Sequence, residues 1–442
     1  MLKEENSKKP LVIKLATSLV FWVLVGLIAG IIVGIIAPQW GISTKSWSID
    51  PFLKALKWLI GPIIFLTLIC GIVGLESLKS LGSLGIKAVI YFEIVSTLAL
   101  IIGIGFGELF RPGHGMGLDV SELDPSSVAQ YTSSGKTEHI GSLKSILMGA
   151  IPSDPITPFL TGNTLQVLFM AIVISIVILF LSQKTKEKII KPLEKVQSFF
   201  FKLLTILIYY SPVATFGAMA FLIGKFGAET LYNMAYLLFV MLFCCLVFIF
   251  IILGIICASA KINIFKYMRF IAREVLVVFA TSSSETALAP LMKKLEKAGI
   301  NKGAVGLVIP AGYSFNLDCT NIYLALSVIF LSQAFGIPLS LEQTISMLII
   351  LMVTSKGAVG VSGSGFIVLA GTLQAMGTGV GTIPAVTVAA LLGVDKFMSD
   401  MRAVGNLCGN SVACMVVSIW DKKVDMEKFR YALDHPDEFK VI

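Results

Sequence analysis

Charge is what this sequence has least of. Only 14% of its 442 residues are Asp, Glu, Lys or Arg, and 56% are hydrophobic; soluble domains carry about 25% charged residues. That leaves too little polar material to cover a water-facing surface, and it excludes a soluble globular chain. Histidine is scarcer still. His114, His139 and His435 fall in loops or in the tail, so a histidine-built metal centre is excluded. The seven cysteines lie in apolar segments, form no CxxC pair and are odd in number, which argues against a disulfide framework. They read as small, soft fillers between helices. The run "TSSSET" (281–286) has no G-x-S-x-G elbow and no nearby histidine, which removes serine hydrolase chemistry. Nothing supplies the acid–base pair of an enzyme, and no cofactor is implied.

A net charge of +8 raises the question of nucleic acid. The positions of the charges answer it. Lysine and arginine cluster in short loops, "KTKEK" (184–188), "KINIFKYMRFIAR" (261–273), "KKLEK" (293–297) and "DKK" (421–423). That is the bias of cytoplasmic loops in a membrane protein, not the basic face of a nucleic-acid binder.

Long apolar runs are abundant, and about 20 such residues cross a bilayer core. Spans are predicted near 11–37, 51–74, 87–110, 146–181, 197–224, 231–259, 303–332 and 381–419. The first is too long for a signal-peptide core and is expected to remain as a helix. With both termini cytoplasmic, the lysine-rich loops fall inside and the long loop 111–142 outside. The expected class is an all-α polytopic membrane protein of eight transmembrane helices. Its expected organisation is helices 1–6 over 1–260, a core over 261–420 and a cytoplasmic tail over 421–442.

Three stretches interrupt the second half. "FATSSSETALAPL" (279–291) and "SKGAVGVSGSGF" (355–366) each read as a re-entrant hairpin with a Ser/Gly-rich tip, one entering from each side. "GYSFNLDCTNIY" (312–323) breaks the seventh span. Irregular backbone at membrane depth survives only where protein buries it or it lines a polar cavity. Oppositely entering broken elements form an inverted repeat and point to a substrate site near the midplane.

"DKFMSDMRAVGNLCGN" (395–410) supplies the chemistry. A charge at the bilayer centre costs roughly 2.5–3.5 kcal/mol on insertion scales. At roughly 100° per residue, Asp395, Ser399, Arg402, Asn406 and Asn410 share an arc of about 80°. A guanidinium there needs an anionic partner. Asp395 is one within the helix, and a substrate carboxylate is another that comes and goes. The serine tip offers hydroxyls and free N–H groups for an anion. Asp318 at membrane depth must be protonated, paired or bound to a cation, and unwound carbonyls beside it suit Na⁺. A purely structural polar network is the competing reading for all of these. The glycines of the second hairpin allow tight turns and close approach.

These residues resemble the dicarboxylate/amino acid:cation symporter family, which includes the glutamate transporters. The likeness runs the length of the chain through "YFEIVST", "SSSETALAP", "GYSFNLDCTNIY", "LMVTSKGAVGVSGSGF" and "DKFMSDMRAVGNLCGN". It implies a homotrimer, embedded in lipid, in which a transport domain moves against a scaffold and the second hairpin is the outer gate. By resemblance, substrate would meet Ser283, Ser284, Thr320, Val361, Gly365, Ser399, Arg402 and Asn406. Coupling cations, H⁺ or Na⁺, would involve Gly312, Ser314, Asn316, Asp318, Ser355, Asn406, Asn410 and Glu93, with Na⁺ at Asn316, Asp318 and Asn410.

The departures are informative. Ser399 stands where members that carry acidic amino acids place an aspartate for the substrate amine, a pattern resembling the C4-dicarboxylate branch. Asn410 replaces an aspartate of one sodium site, and Phe92 and Val95 replace hydroxyl groups of another. Glu93, a carboxylate within the third helix, is then a candidate proton carrier, with simple pairing as the alternative. Cys319 replaces a usual glycine, and Lys396 reads as snorkelling toward the polar face. The expected function is cation-coupled import of succinate, fumarate or malate across the cell membrane. A glutamate or aspartate symporter and, more distantly, an anion channel are the alternatives.

Overall fold

The computed structural model describes residues 19–80, 82–118, 151–161, 164–281, 284–357, 364–376, 383 and 385–441. Every element longer than a single bridge among them is helical. The first is α1 (Leu19–Ile36), followed by α2 (Pro38–Thr44), α3 (Asp50–Ser80) and α4 (Ser83–Phe110). Then come α5 (Thr164–Leu179), α6 (Gln183–Ile208), α7 (Ser211–Phe226) and α8 (Glu229–Ser259). The second half holds α9 (Ile264–Phe270), α10 (Ala272–Thr281), α11 (Leu288–Lys297), α12 (Lys302–Phe315) and α13 (Asp318–Ala334). It closes with α14 (Leu341–Thr354), α15 (Ser364–Ala375), α16 (Asp395–Trp420) and α17 (Met426–Asp434).

Four of these are long and apolar enough to cross a membrane: α4, α8, α12 with α13, and α16. The pair α6–α7 makes a fifth if it counts as one span. The expected span 197–224 is in fact broken there by 51°. Pro212 near the start of α7 explains the stop, because proline begins a helix readily but cannot continue one. The expected span 381–419 is also shortened. Residues 385–391 form a tight 3₁₀ segment, and α16 begins at Asp395. The apolar stretch before it is rich in β-branched residues and carries Gly393 just before the helix cap Val394, so hydropathy alone overextends the helix. Lys396 is therefore in a first turn rather than mid-helix. It pairs with Asp400 one turn on instead of snorkelling.

Packing places α13 at the centre, against α4 and α16. Its residues from Asp318 to Leu331 are buried without exception. At the other side of the chain α1 meets α7. A Cβ at Gly26 or Gly30 would strike the backbone of Pro212 or Phe216. This G-x-x-x-G contact lets two backbones approach as they do between membrane helices.

Two helix pairs flank the break between α12 and α13, and side chains tie the arms of each. In the first pair, α10–α11, Lys294 Nζ lies 2.9 Å from Glu274 Oε2, and both are buried. In the second, α14–α15, the hydroxyls of Thr354 and Thr372 meet at 2.8 Å. The tail does not hang free. Ile300 and Val424 form an antiparallel bridge, Phe429 of α17 packs on Tyr267 and Phe270, and Lys266 pairs with Asp434.

Candidate substrate and cation site

The site begins with the break at Asn316–Leu317. Both residues leave helical geometry, with φ/ψ of −124°/61° and −94°/66°. A helix that stops leaves carbonyls without partners, and one that starts leaves N–H groups. The new start is capped from another helix. Asn406 Oδ1 on α16 accepts from the backbone N–H of Cys319 and Thr320 at 3.0 and 3.2 Å. Its Nδ2 donates to Thr320 Oγ1 at 2.9 Å. Asn406 and Thr320, expected as substrate groups, are thus bonded to each other and shape the break.

One turn along α16 lies the guanidinium. Arg402 is 3% exposed. It stacks on the ring of Tyr323, 4.2 Å from the centroid, and Nη2 donates to Ser399 Oγ at 2.9 Å. Nη1 is buried with no hydrogen-bond partner. Asp395, the acid expected as an alternative partner, instead accepts from Tyr323 Oη at 2.7 Å. Among the described residues no carboxylate forms an ion pair with Arg402. On the other side Gly365 of α15 abuts the guanidinium. A Cβ there would overlap Nη1. The sequence thus builds a slot with an aromatic floor, a glycine wall and an unused N–H edge, the fork that a carboxylate matches.

Ser284 opens a short turn, Ser284–Ala287, that packs against α16 and is tied to α12. Its carbonyl accepts from Tyr313 Oη at 2.8 Å, and its own Oγ is buried without a partner. Ser283 and Val361 lie outside the described residues.

The second cluster is the expected cation site. Asn316 Nδ2 donates to Asp318 Oδ2 at 2.8 Å and to Asn410 Oδ1 at 3.3 Å. All three residues are fully buried. Asn316 Oδ1, Asp318 Oδ1 and Asn410 Nδ2 have no partner. Buried polar groups are nearly always bonded, so a cluster with two orphan oxygens is incomplete as it stands. It fits a proton or a small cation. Gly312 is required here, since a Cβ would overlap Asn410 Oδ1. Of the remaining candidates, Ser314 contributes its place in the last turn of α12, and Ser355 Oγ donates to the Met352 carbonyl at 3.5 Å.

Glu93, the candidate proton carrier, is paired: its Oε1 lies 2.9 Å from Lys356 Nζ. The lysine of "SKG" balances it. Cys319 has a simple account. Its Sγ occupies the space a side chain at position 405 would need, and Gly405 leaves that space open.

Comparison with known sequences decides the family. The model described as "Sodium:dicarboxylate symporter family" matches residues 19–420. The chain belongs to that family. It is 43% identical over 430 residues to a C4-dicarboxylate transport protein of Polynucleobacter asymbioticus, covering 97% of this chain and 95% of the relative. It is 41% identical over 435 residues to C4-dicarboxylate transport protein 2 of Polaromonas naphthalenivorans, with 98% and 94% covered. A relative from Citrifermentans bemidjiense, also a C4-dicarboxylate transport protein, is 43% identical over 416 residues, with 94% and 93% covered.

This symporter-family chain is therefore a multi-pass membrane transporter and not an enzyme. Two residues of its site escaped sequence reading. Tyr323 was one more aromatic in an apolar helix, and its only signal was its position one turn after Thr320. Lys356 was visible as a lysine beside a glycine-rich tip, but its partner lies 263 positions earlier in the chain.

Proposed function

We propose that this chain imports C4-dicarboxylates such as succinate, fumarate and malate across the cell membrane, driven by a gradient of H⁺ or Na⁺. One observation carries the reading: the buried Arg402 Nη1 edge, without a protein partner, faces the glycine wall of α15. An uncompensated cation in a buried slot is costly. A substrate carboxylate completes it, with the second carboxylate of the diacid reaching toward the hydroxyl and N–H groups around Ser283 and Ser284. Ser399 beside Arg402 offers a hydroxyl and no charge, so among the described residues this position supplies no counter-ion for an α-ammonium group. The diacid reading rests on that, and the names of the relatives support it.

The coupling ion enters at Asn316, Asp318 and Asn410. The architecture proposed is eight transmembrane helices with two re-entrant hairpins, α10–α11 and α14–α15, in a homotrimer with both termini cytoplasmic. The transport core would run through 261–420.

Succinate uptake into proteoliposomes, with proton and sodium gradients imposed separately, tests the reading. Concentrative uptake that collapses with one of the two gradients is expected. Arg402→Ala should abolish it while the purified protein keeps its size-exclusion profile. Ohmic anion current without accumulation, or inhibition by L-glutamate but not by succinate, overturns the proposal.

A further inference from the structure

Lys356 is the charged group that the reading above does not use. It is the middle residue of the turn Ser355–Gly357, where the chain leaves α14 for the second tip. Its ammonium lies 2.9 Å from Glu93 Oε1 on α4 and donates to the Phe315 carbonyl at 3.1 Å. The lysine side chain is 13% exposed and the glutamate 43%.

Phe315 ends α12. Its carbonyl, to which Ser96 Oγ also donates at 3.4 Å, is at the negative end of that half-helix. Three residues on is Asp318, with one oxygen unpartnered and no basic group paired with it among the described residues. Through its bond to the Phe315 carbonyl, the ammonium of Lys356 meets the chain three residues before that carboxylate. An ammonium is a compact point charge with three donors, chemically the nearest a side chain comes to a small cation.

We propose that Lys356 is a tethered counter-cation of the broken helix. Its ammonium supplies, at the carbonyl end of α12 three residues before Asp318, positive charge that a transported cation would otherwise bring, and Glu93 positions it. Because the ammonium rides on the second helix pair, drawing that pair away from α4 withdraws the charge from the break. The charge state of the cation locus and the position of the pair are thereby one variable. This rests on the reading of the chain as a cation-coupled transporter, and it adds which of its own residues sets the demand for external cation.

The test uses the full-length protein with Lys356→Met, Lys356→Arg and Glu93→Gln. In detergent, melting temperature is titrated with NaCl against choline chloride, with no substrate present. Lys356→Met is expected to gain a saturable, Na⁺-specific rise beyond the parent's, and Lys356→Arg to keep the parent response. Glu93→Gln, which retains the ammonium but frees it, should fall between them. It also stands in for Lys356→Met if that variant does not fold. In proteoliposomes, succinate uptake by Lys356→Met at low Na⁺ should be about tenfold below the parent, a loss of about 1.4 kcal/mol, and should recover at high Na⁺. A Na⁺ response identical to the parent's in both neutralising variants overturns the inference, even if succinate transport holds. Absence of succinate transport with the thermal pattern as expected overturns the proposed cargo and leaves the inference standing.

Discussion

Under the proposed function, a single oxygen at Ser399 sets which cargo the site takes. Its hydroxyl takes one hydrogen bond from Arg402 Nη2, while Nη1 has no hydrogen-bond partner. A carboxylate at the same position would form a charge-assisted pair and occupy the fork itself. Ser399→Asp is therefore expected to lower succinate uptake at least tenfold, about 1.4 kcal/mol, and to let aspartate compete for the remainder. Unchanged succinate uptake in a competition assay removes position 399 from the substrate site. Arg402 was legible in the sequence because a guanidinium in an apolar run demands an explanation. Its stacking partner Tyr323 was not, since aromatic residues in apolar helices are the rule. Nor was the use made of Asn406. An asparagine on a polar face reads the same whether it meets cargo or caps a neighbouring helix from 86 positions away.

The two helix pairs share a plan but use different ties. The second is held by a neutral hydroxyl contact, Thr354 to Thr372. The first is held by Glu274 and Lys294, with the ammonium also 4.8 Å from the ring centre of Phe270. Removing one partner of a buried pair leaves the other uncompensated, at a cost of about 3–5 kcal/mol. Glu274→Gln should thus lower the melting temperature markedly, and the double variant Glu274→Met/Lys294→Met should recover most of the loss. If the single variant melts like the parent, the pair is not what ties these arms. The existence of the interruptions was readable from serine and glycine clusters in apolar runs. Helix boundaries were less so. Hydropathy does not separate the 3₁₀ segment 385–391 from a helix, and only backbone geometry places the start at Asp395.

Over the whole molecule, acids near the chain's end bind it to distant elements. Hydrogen bonds from Lys87 and Ser83 hold the Asp421 carboxyl below the ordinary carboxylate range, and Lys266 does the same for Asp434. A carboxyl depressed in the folded state stabilises the fold above its unfolded pKa, and the contribution is lost as pH falls through the folded value. The double variant Asp421→Asn/Asp434→Asn should therefore melt below the parent at neutral pH, with the gap closing on acidification. A gap that persists at low pH would assign the effect to packing instead. Composition announced a membrane protein at once, but it described residues 421–442 only as a polar tail. That residues 423–434 are tied to α9 and to the turn after α11 follows from contacts no local pattern encodes. The far terminus is consequently a handle on the core. A fluorophore fused after residue 442 hangs from α17, seated on Tyr267 and Phe270, and any displacement of the first helix pair would carry the reporter with it.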